Sequence, residues 1–203
     1  MSITTATELK TAVGTWLART DLSDYGDDFI TLAEAHLNRE LRHRKMVAQT
    51  DLSPTSNVYT LPSDYLHYVR VVEKVSPRRE LRFITATAAD QQYPLQSSGL
   101  GVDFTIIGSE LTVFPLSTND IELTYYQKLP TLVSNSSNWL LADAPGLYLS
   151  VCRMMALDFI DETDTARFQS VAKMARQLID SMNSESDLAL YARAGVRMMG
   201  VTP

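Results

Sequence analysis

The chain has 203 residues, 45% hydrophobic and 21% charged, with a formal net charge of −6. That length buries a core without metal or disulfide staples, and the single cysteine, Cys152, has no intrachain partner. The acidic balance argues against grip on nucleic-acid phosphate as the main activity, and the opening MSITTATELK lacks the basic start and apolar stretch of a secretion signal.

The first segment reads as a helix. Thr5 and Glu8 have capping-box spacing, and Leu9, Val13, Trp16 and Leu17 fall on one face. Leu22–Gly26 is a turn. A second helix is expected from about Asp27, with a buried stripe of Ile30, Ala33, Leu37 and Leu41. Acids open it and Arg39, Arg42, Arg44 and Lys45 close it, as the helix dipole favours. The two helices should form a hairpin.

After Met46 the period changes from helical to alternating. VAQTDLS and NVYTLP read as strands separated by a turn at Pro54 and Ser56-Asn57. Leu66–Val75 is another strand, with Leu66, Tyr68 and Arg70 on one face and His67, Val69 and Val71 on the other. Ser76-Pro77 breaks it, and ELRFI can pair back. Thr85–Gln92 reads as a short helix, with Thr87 and Asp90 at capping spacing. Ser97–Gly101 is a loop. Strands from Val102 to Lys128 complete a mostly antiparallel region, with Gly108-Ser109 at a hairpin turn that wants positive φ.

Leu147–Ile160 is helical and apolar nearly all round, so it should be buried on several sides. It is too short to span a bilayer and carries Arg153 and Asp158. Cys152 reads there as a small core residue. A long helix follows Asp161-Glu162-Thr163, with Phe168, Val171, Ala175, Leu178 and Met182 spaced as a coiled-coil seam. The seam reads first as internal core. The tail LALYARAGVRMMGVTP reads either as a docking arm or as a loose terminus; arginine and methionine, both enriched at interfaces, favour the arm.

The resulting fold class is α+β: a helical bundle built from N- and C-terminal helices, with an inserted antiparallel β region. The expected divisions are 1–46 for the helical hairpin, 47–133 for the β-rich insertion, 134–190 for the C-terminal helices and 191–203 for a docking tail.

No catalytic, cofactor-binding or metal site is expected. Asp158, Asp161, Glu162 and Asp164 cluster at a helix junction and read as a capped, solvated turn rather than an acid/base or metal centre. Asp24, Asp27 and Asp28 lack the glutamate that a calcium loop needs at its twelfth position, where Ala35 stands. His36, His43 and His67 have no metal-ligand spacing and read as surface or interface residues. There is no nucleophile elbow, and Gly99-x-Gly101 lacks the rest of a phosphate loop. The Arg39–Lys45 run fits dipole-complementing charge better than an acidic partner or nucleic acid. Trp139 and Tyr125-Tyr126 read as core or hairpin packing.

Three stretches taken in order carry a resemblance: GTWLARTDLSDYGDDFITLAEAHLNRELR, VYTLPSDYLHYVRVV, and IIGSELTVFPL followed by DIELTYYQKLPTL and APGLYL. Their sequence resembles the head–tail adaptor (connector) proteins of short-tailed bacteriophages up to about Ile160. The resemblance implies a non-enzymatic homo-oligomer, usually a ring of twelve copies, below the portal protein. It implies tail nozzle or fibre proteins as further partners, and DNA passing through a channel without sequence-specific binding. No membrane is implied. The expected location is the virion neck, and the host cytoplasm before assembly. The docking arm for the portal would be Tyr191, Arg193, Val196, Arg197, Met198 and Met199. Subunit contacts would draw on Leu147, Val151, Met154, Phe168, Val171, Leu178 and Met182. The rival readings are a stopper or tube terminator from the same neck, and a hydrolase using the Asp158–Asp164 carboxylates.

Overall fold

The structure is a computed structural model that describes residues 3–95, 97–160 and 165–191, with side chains as far as Ser186. In chain order its elements are α1 (Ala6–Leu17), α2 (Gly26–Glu40), β1 (Val47–Leu52), β2 (Val58–Thr60), β3 (Tyr65–Glu73), β4 (Arg79–Glu80), β5 (Arg82–Phe83), α3 (Ala86–Gln92), β6 (Asp103–Ile107), β7 (Glu110–Phe114), β8 (Ile121–Gln127), α4 (Trp139–Asp143), α5 (Pro145–Phe159) and α6 (Thr165–Tyr191). The class is α+β. The elements sort into two compact units: a helical one from Met1–Arg44 and Leu129–Pro203, and a β one from Lys45–Lys128.

In the helical unit, α1 starts on the expected capping box. Thr5 Oγ1 accepts from Glu8 N at 3.2 Å, and Glu8 Oε2 accepts from Thr5 N at 3.1 Å. Leu9, Val13 and Leu17 are buried as expected, but Trp16 is 57% exposed. Its ring lies under the Arg153 guanidinium at 4.9 Å, and a charged head does not close over an indole as an apolar partner would. On α2 the stripe of Ile30, Ala33, Leu37 and Leu41 is fully buried.

The all-round apolar helix is α5, and it packs against α1, α2, α4 and α6. Leu147 through Cys152, with Ala156 and Leu157, are buried. Each large side chain so enclosed contributes about 1.5–3 kcal/mol. Burial also pushes the Cys152 thiol pKa far up, so the group stays protonated and inert. The sequence reading had no helix at α4. Asn138 caps it, accepting from Leu141 N at 2.9 Å, and its short turn buries Leu140 and Leu141.

Along α6 the fully buried row is Val171, Ala175, Ile179 and Ser186, while Phe168, Leu178 and Met182 are half-buried. The expected seam passed through Leu178 and not Ile179. A straight helix drifts from a strict 3.5-residue repeat, which moves the contact line by one residue.

The β unit is two facing sheets, ordered β1-β8-β3-β4 and β2-β7-β6-β5. Among the described residues these strands pair antiparallel except β5 with β6, and an isolated parallel bridge joins Ser98 to Leu116. Val71, Ile121, Leu123 and Tyr125 from the first sheet meet Tyr59, Phe104, Leu111 and Val113 from the second in one core. Gly108 has φ +62°, the left-handed turn expected of the β6–β7 hairpin.

Three local expectations fail here. The strict two-face alternation proposed for β3 is broken by two register shifts against β8, and Val71, Val72 and Glu73 are all buried. ELRFI does not return as one strand: β4 pairs with β3, whereas β5 joins the other sheet beside β6. The cap of α3 is Thr85, whose Oγ1 accepts from Ala88 N at 3.3 Å, not Thr87.

Candidate functional site

Among the described residues no group of three or more metal-ligating side chains converges, and no helix is long and apolar enough to cross a membrane. The polar groups that do converge are buried and hold loops. In the helical unit, Asn138 Nδ2 donates to Tyr148 Oη at 2.8 Å and to Pro130 O at 2.8 Å. The Tyr148 hydroxyl donates to Glu34 Oε1 at 3.3 Å, which also accepts from Leu132 N at 2.7 Å. This node fixes the 129–138 segment onto α2 and α5. Burial pushes the Tyr148 phenol far above its usual range, so it acts only as a neutral donor and acceptor.

In the β unit Glu73 is fully buried. Its carboxylate accepts from Gly101 N at 3.0 Å, Asn119 Nδ2 at 3.1 Å and the Ser117 hydroxyl. Gly101 must lack a side chain, since a Cβ there would meet Val113 Cγ1 at 2.6 Å. A second buried carboxylate, Asp103, takes a forked contact from Arg82 at 2.8 and 3.2 Å and a hydroxyl from Tyr93 at 2.8 Å. Burial pushes the Asp103 pKa up, but the hydrogen bonds from Arg82 and Tyr93 outweigh it and leave the pKa lowered. Both nodes are buried and tie loop residues to the strands.

The expected basic close of α2 is shorter than its sequence run: the helix ends at Glu40, so only Arg39 lies in its last turn, and Arg39 and Arg42 both turn back onto it. Arg39 Nε donates to Ala35 O at 3.3 Å, and Arg42 Nη1 donates to Asn38 O and Leu41 O at 2.9 and 2.6 Å. Side chains of α6 complete this closure: Asn183 Oδ1 accepts from Arg42 N, and Ser186 Oγ from Arg44 N, both at 2.8 Å. His43 is not a surface residue; it is buried and stacks on Trp139 with ring centroids 5.3 Å apart. His36 sits 3.5 Å from Glu40, and His67 stacks on Tyr68. Asp158 is exposed, Asp27 pairs with Lys10 at 2.6 Å, and Asp161, Glu162 and Asp164 lie outside the described residues.

Of the residues assigned to the docking arm, Tyr191 ends α6 with its side chain undescribed; Arg193, Val196, Arg197, Met198 and Met199 lie outside the described residues. Of those assigned to subunit contact, Leu147, Val151 and Val171 are buried within the helical unit, while Met154, Phe168, Leu178 and Met182 keep some exposed surface.

Exposed apolar groups missed by the sequence reading are a better guide to surfaces. Phe159 and Tyr25 are both exposed and pack ring to ring at 4.8 Å, with Phe29 beneath them. Thr11, Gly14 and Thr15 of α1, with Ala18 just past its end, line an open groove of about 490 Å³. On the β unit Leu95 is 90% exposed and Ile107 62%. The signal for these lay in aromatic and apolar residues that break the polar side of a periodic stretch, as in DYGDDF and LDFI.

The described residues thus combine buried polar struts with apolar groups left on the surface. The family described as SU10 adaptor protein matches residues 4–198. The chain belongs to that family. No curated protein matches it. As an SU10 adaptor family member it is a bacteriophage adaptor, of a structural class associated with other head and tail proteins of the virion. The resemblance read from the sequence phrases therefore holds at the level of the family.

Proposed function

We propose that this chain is the head–tail adaptor of a short-tailed phage. Copies form a ring beneath the portal protein, join it to the tail nozzle or fibre proteins and extend the DNA channel at the neck. The observation that carries this reading is the family match across residues 4–198, nearly the whole chain. An acidic chain supports it, because basic channel walls would hold DNA by its phosphates. Exposed surface on Met154, Phe168, Leu178 and Met182 serves subunit contact, with Leu147, Val151 and Val171 holding α5 and α6 in place behind it. The arm from Tyr191 to Met199 engages the portal, and the β unit meets the tail side. The chain waits in the host cytoplasm until the portal supplies a template.

Light scattering of the chain alone, and then with purified portal rings, tests this. A monomer that loads onto the portal in a ring-sized number of copies is expected. A chain that ignores the portal overturns the reading. Removal of residues 188–203 should abolish loading; unchanged affinity would remove the arm assignment alone.

A further inference from the structure

The four outer strands of the two sheets are unequal. β4 and β5 are two residues each, and β4 follows Pro77 and Arg78. β2 is three residues held between Pro54 and Pro62. The part of β3 that β4 leaves uncovered carries two register shifts. Short length, proline, positive charge and bulges are the devices that keep a sheet edge from pairing further.

β1 has none of them. It runs six residues, Val47–Leu52, pairs residue for residue with β8 without a bulge, and contains neither proline nor lysine nor arginine. Its one charge, Asp51, bonds Lys74 Nζ at 2.8 Å across the sheet. Beyond β8 no other element makes extensive contact with β1 among the described residues. Every second residue of such a strand turns its N–H and C=O away from its neighbour. On the core side, Ala48 and Leu52 pack against the core but remain only half-buried.

We infer that the free edge of β1 is a docking site for an extended strand of a different polypeptide on the tail side, apolar at alternate positions. The edge itself defines the occupant: only a strand satisfies its row of donors and acceptors, and apolar residues facing the core would cover Ala48 and Leu52. The outer strands β2, β4 and β5 of a second copy are two or three residues long and do not match six, and the uncovered stretch of β3 is broken by its two register shifts. Pairing of β1 with β1 of a second copy makes a closed two-fold contact, which a ring of head-to-tail contacts does not use. This inference rests on the adaptor reading for the side from which the strand comes.

Hydrogen exchange of the full chain, alone, as portal-bound rings and with the purified tail nozzle protein of the same phage, tests it. Alternate amides of 47–52 should exchange freely in the first two states and slow at least tenfold in the third. Nozzle binding without that slowing, or no nozzle binding, overturns the inference. Slowing already present in rings without nozzle overturns it too, since a second copy then fills the edge. Gln49→Pro and Thr50→Pro provide a second arm. One of the two removes an outward N–H, and it should keep the fold and the portal loading while losing nozzle binding at least tenfold. Failure of wild-type loading on the portal would instead count against the adaptor reading, and the nozzle exchange experiment on the free chain still judges the edge.

Discussion

Each unit of this chain buries a glutamate that forms no ion pair among the described residues, and the two do so differently. Glu73 of the β unit is closed in by three donors: the Gly101 amide, Asn119 and Ser117. Glu34 of the helical unit has two, the Leu132 amide and a Tyr148 hydroxyl that itself leans on Asn138. A sheet sandwich has long loops to anchor and little apolar surface in them, so its carboxylate is the anchor. A helical unit wraps an apolar helix on several sides, and its carboxylate only pins the returning segment to a core already formed. The carboxylate should therefore matter more in the β unit.

The largest expected effect is that of Glu73→Ala. It orphans three buried donors and should cost roughly 3 kcal/mol or more. Denaturant melts should show the loss, and hydrogen exchange should localise it to 45–128. An equal cost for Glu34→Ala would break the contrast. Next comes Leu37→Ala, expected to cost about 2–5 kcal/mol from a fully buried site in the apolar packing of α2. A cost under about 1 kcal/mol would mean that apolar packing does not dominate the helical unit.

Tyr148→Phe removes one hydroxyl from the Glu34 node while Asn138 keeps its bond to Pro130. It should cost about 1–2 kcal/mol in the same melt. The smallest effect is acid-dependent. Asp103 titrates lower folded than unfolded, so its contribution is complete above the ordinary carboxylate range and is lost as pH falls through the folded value, below about pH 4. Melts from pH 6 to 2.5 should show a destabilising step there, absent in Asp103→Asn.

Much of this was legible in the residues. The capping box at Thr5 and Glu8, the stripe on α2 and the all-round apolar α5 follow from local spacing, and they hold. What local spacing does not encode is which sheet a strand joins. β4 and β5 are separated by one residue and part to different sheets because Leu81 between them is claimed by the shared core. The exposure of Trp16 was equally hidden, since it depends on Arg153 from a helix far along the chain. For surfaces, periodicity marks what is buried and is silent on what is left outside. The Tyr25–Phe159 pair and the β1 edge that no other described strand pairs with became visible only once their neighbours were placed.

The helical unit is interrupted in sequence by residues 45–128. A ribosome therefore completes α1 and α2 long before α5, the helix their apolar stripes require. At roughly 5–20 residues per second, that interval lasts on the order of 5–20 seconds. The β unit is a contiguous stretch and can fold during the wait, while Leu37 and Leu41 stay uncovered. The nascent chain is thus most open to chaperone capture or to mispairing with its neighbours on a polysome in that window, and slowing translation between Lys128 and Pro145 should lower the yield of folded protein.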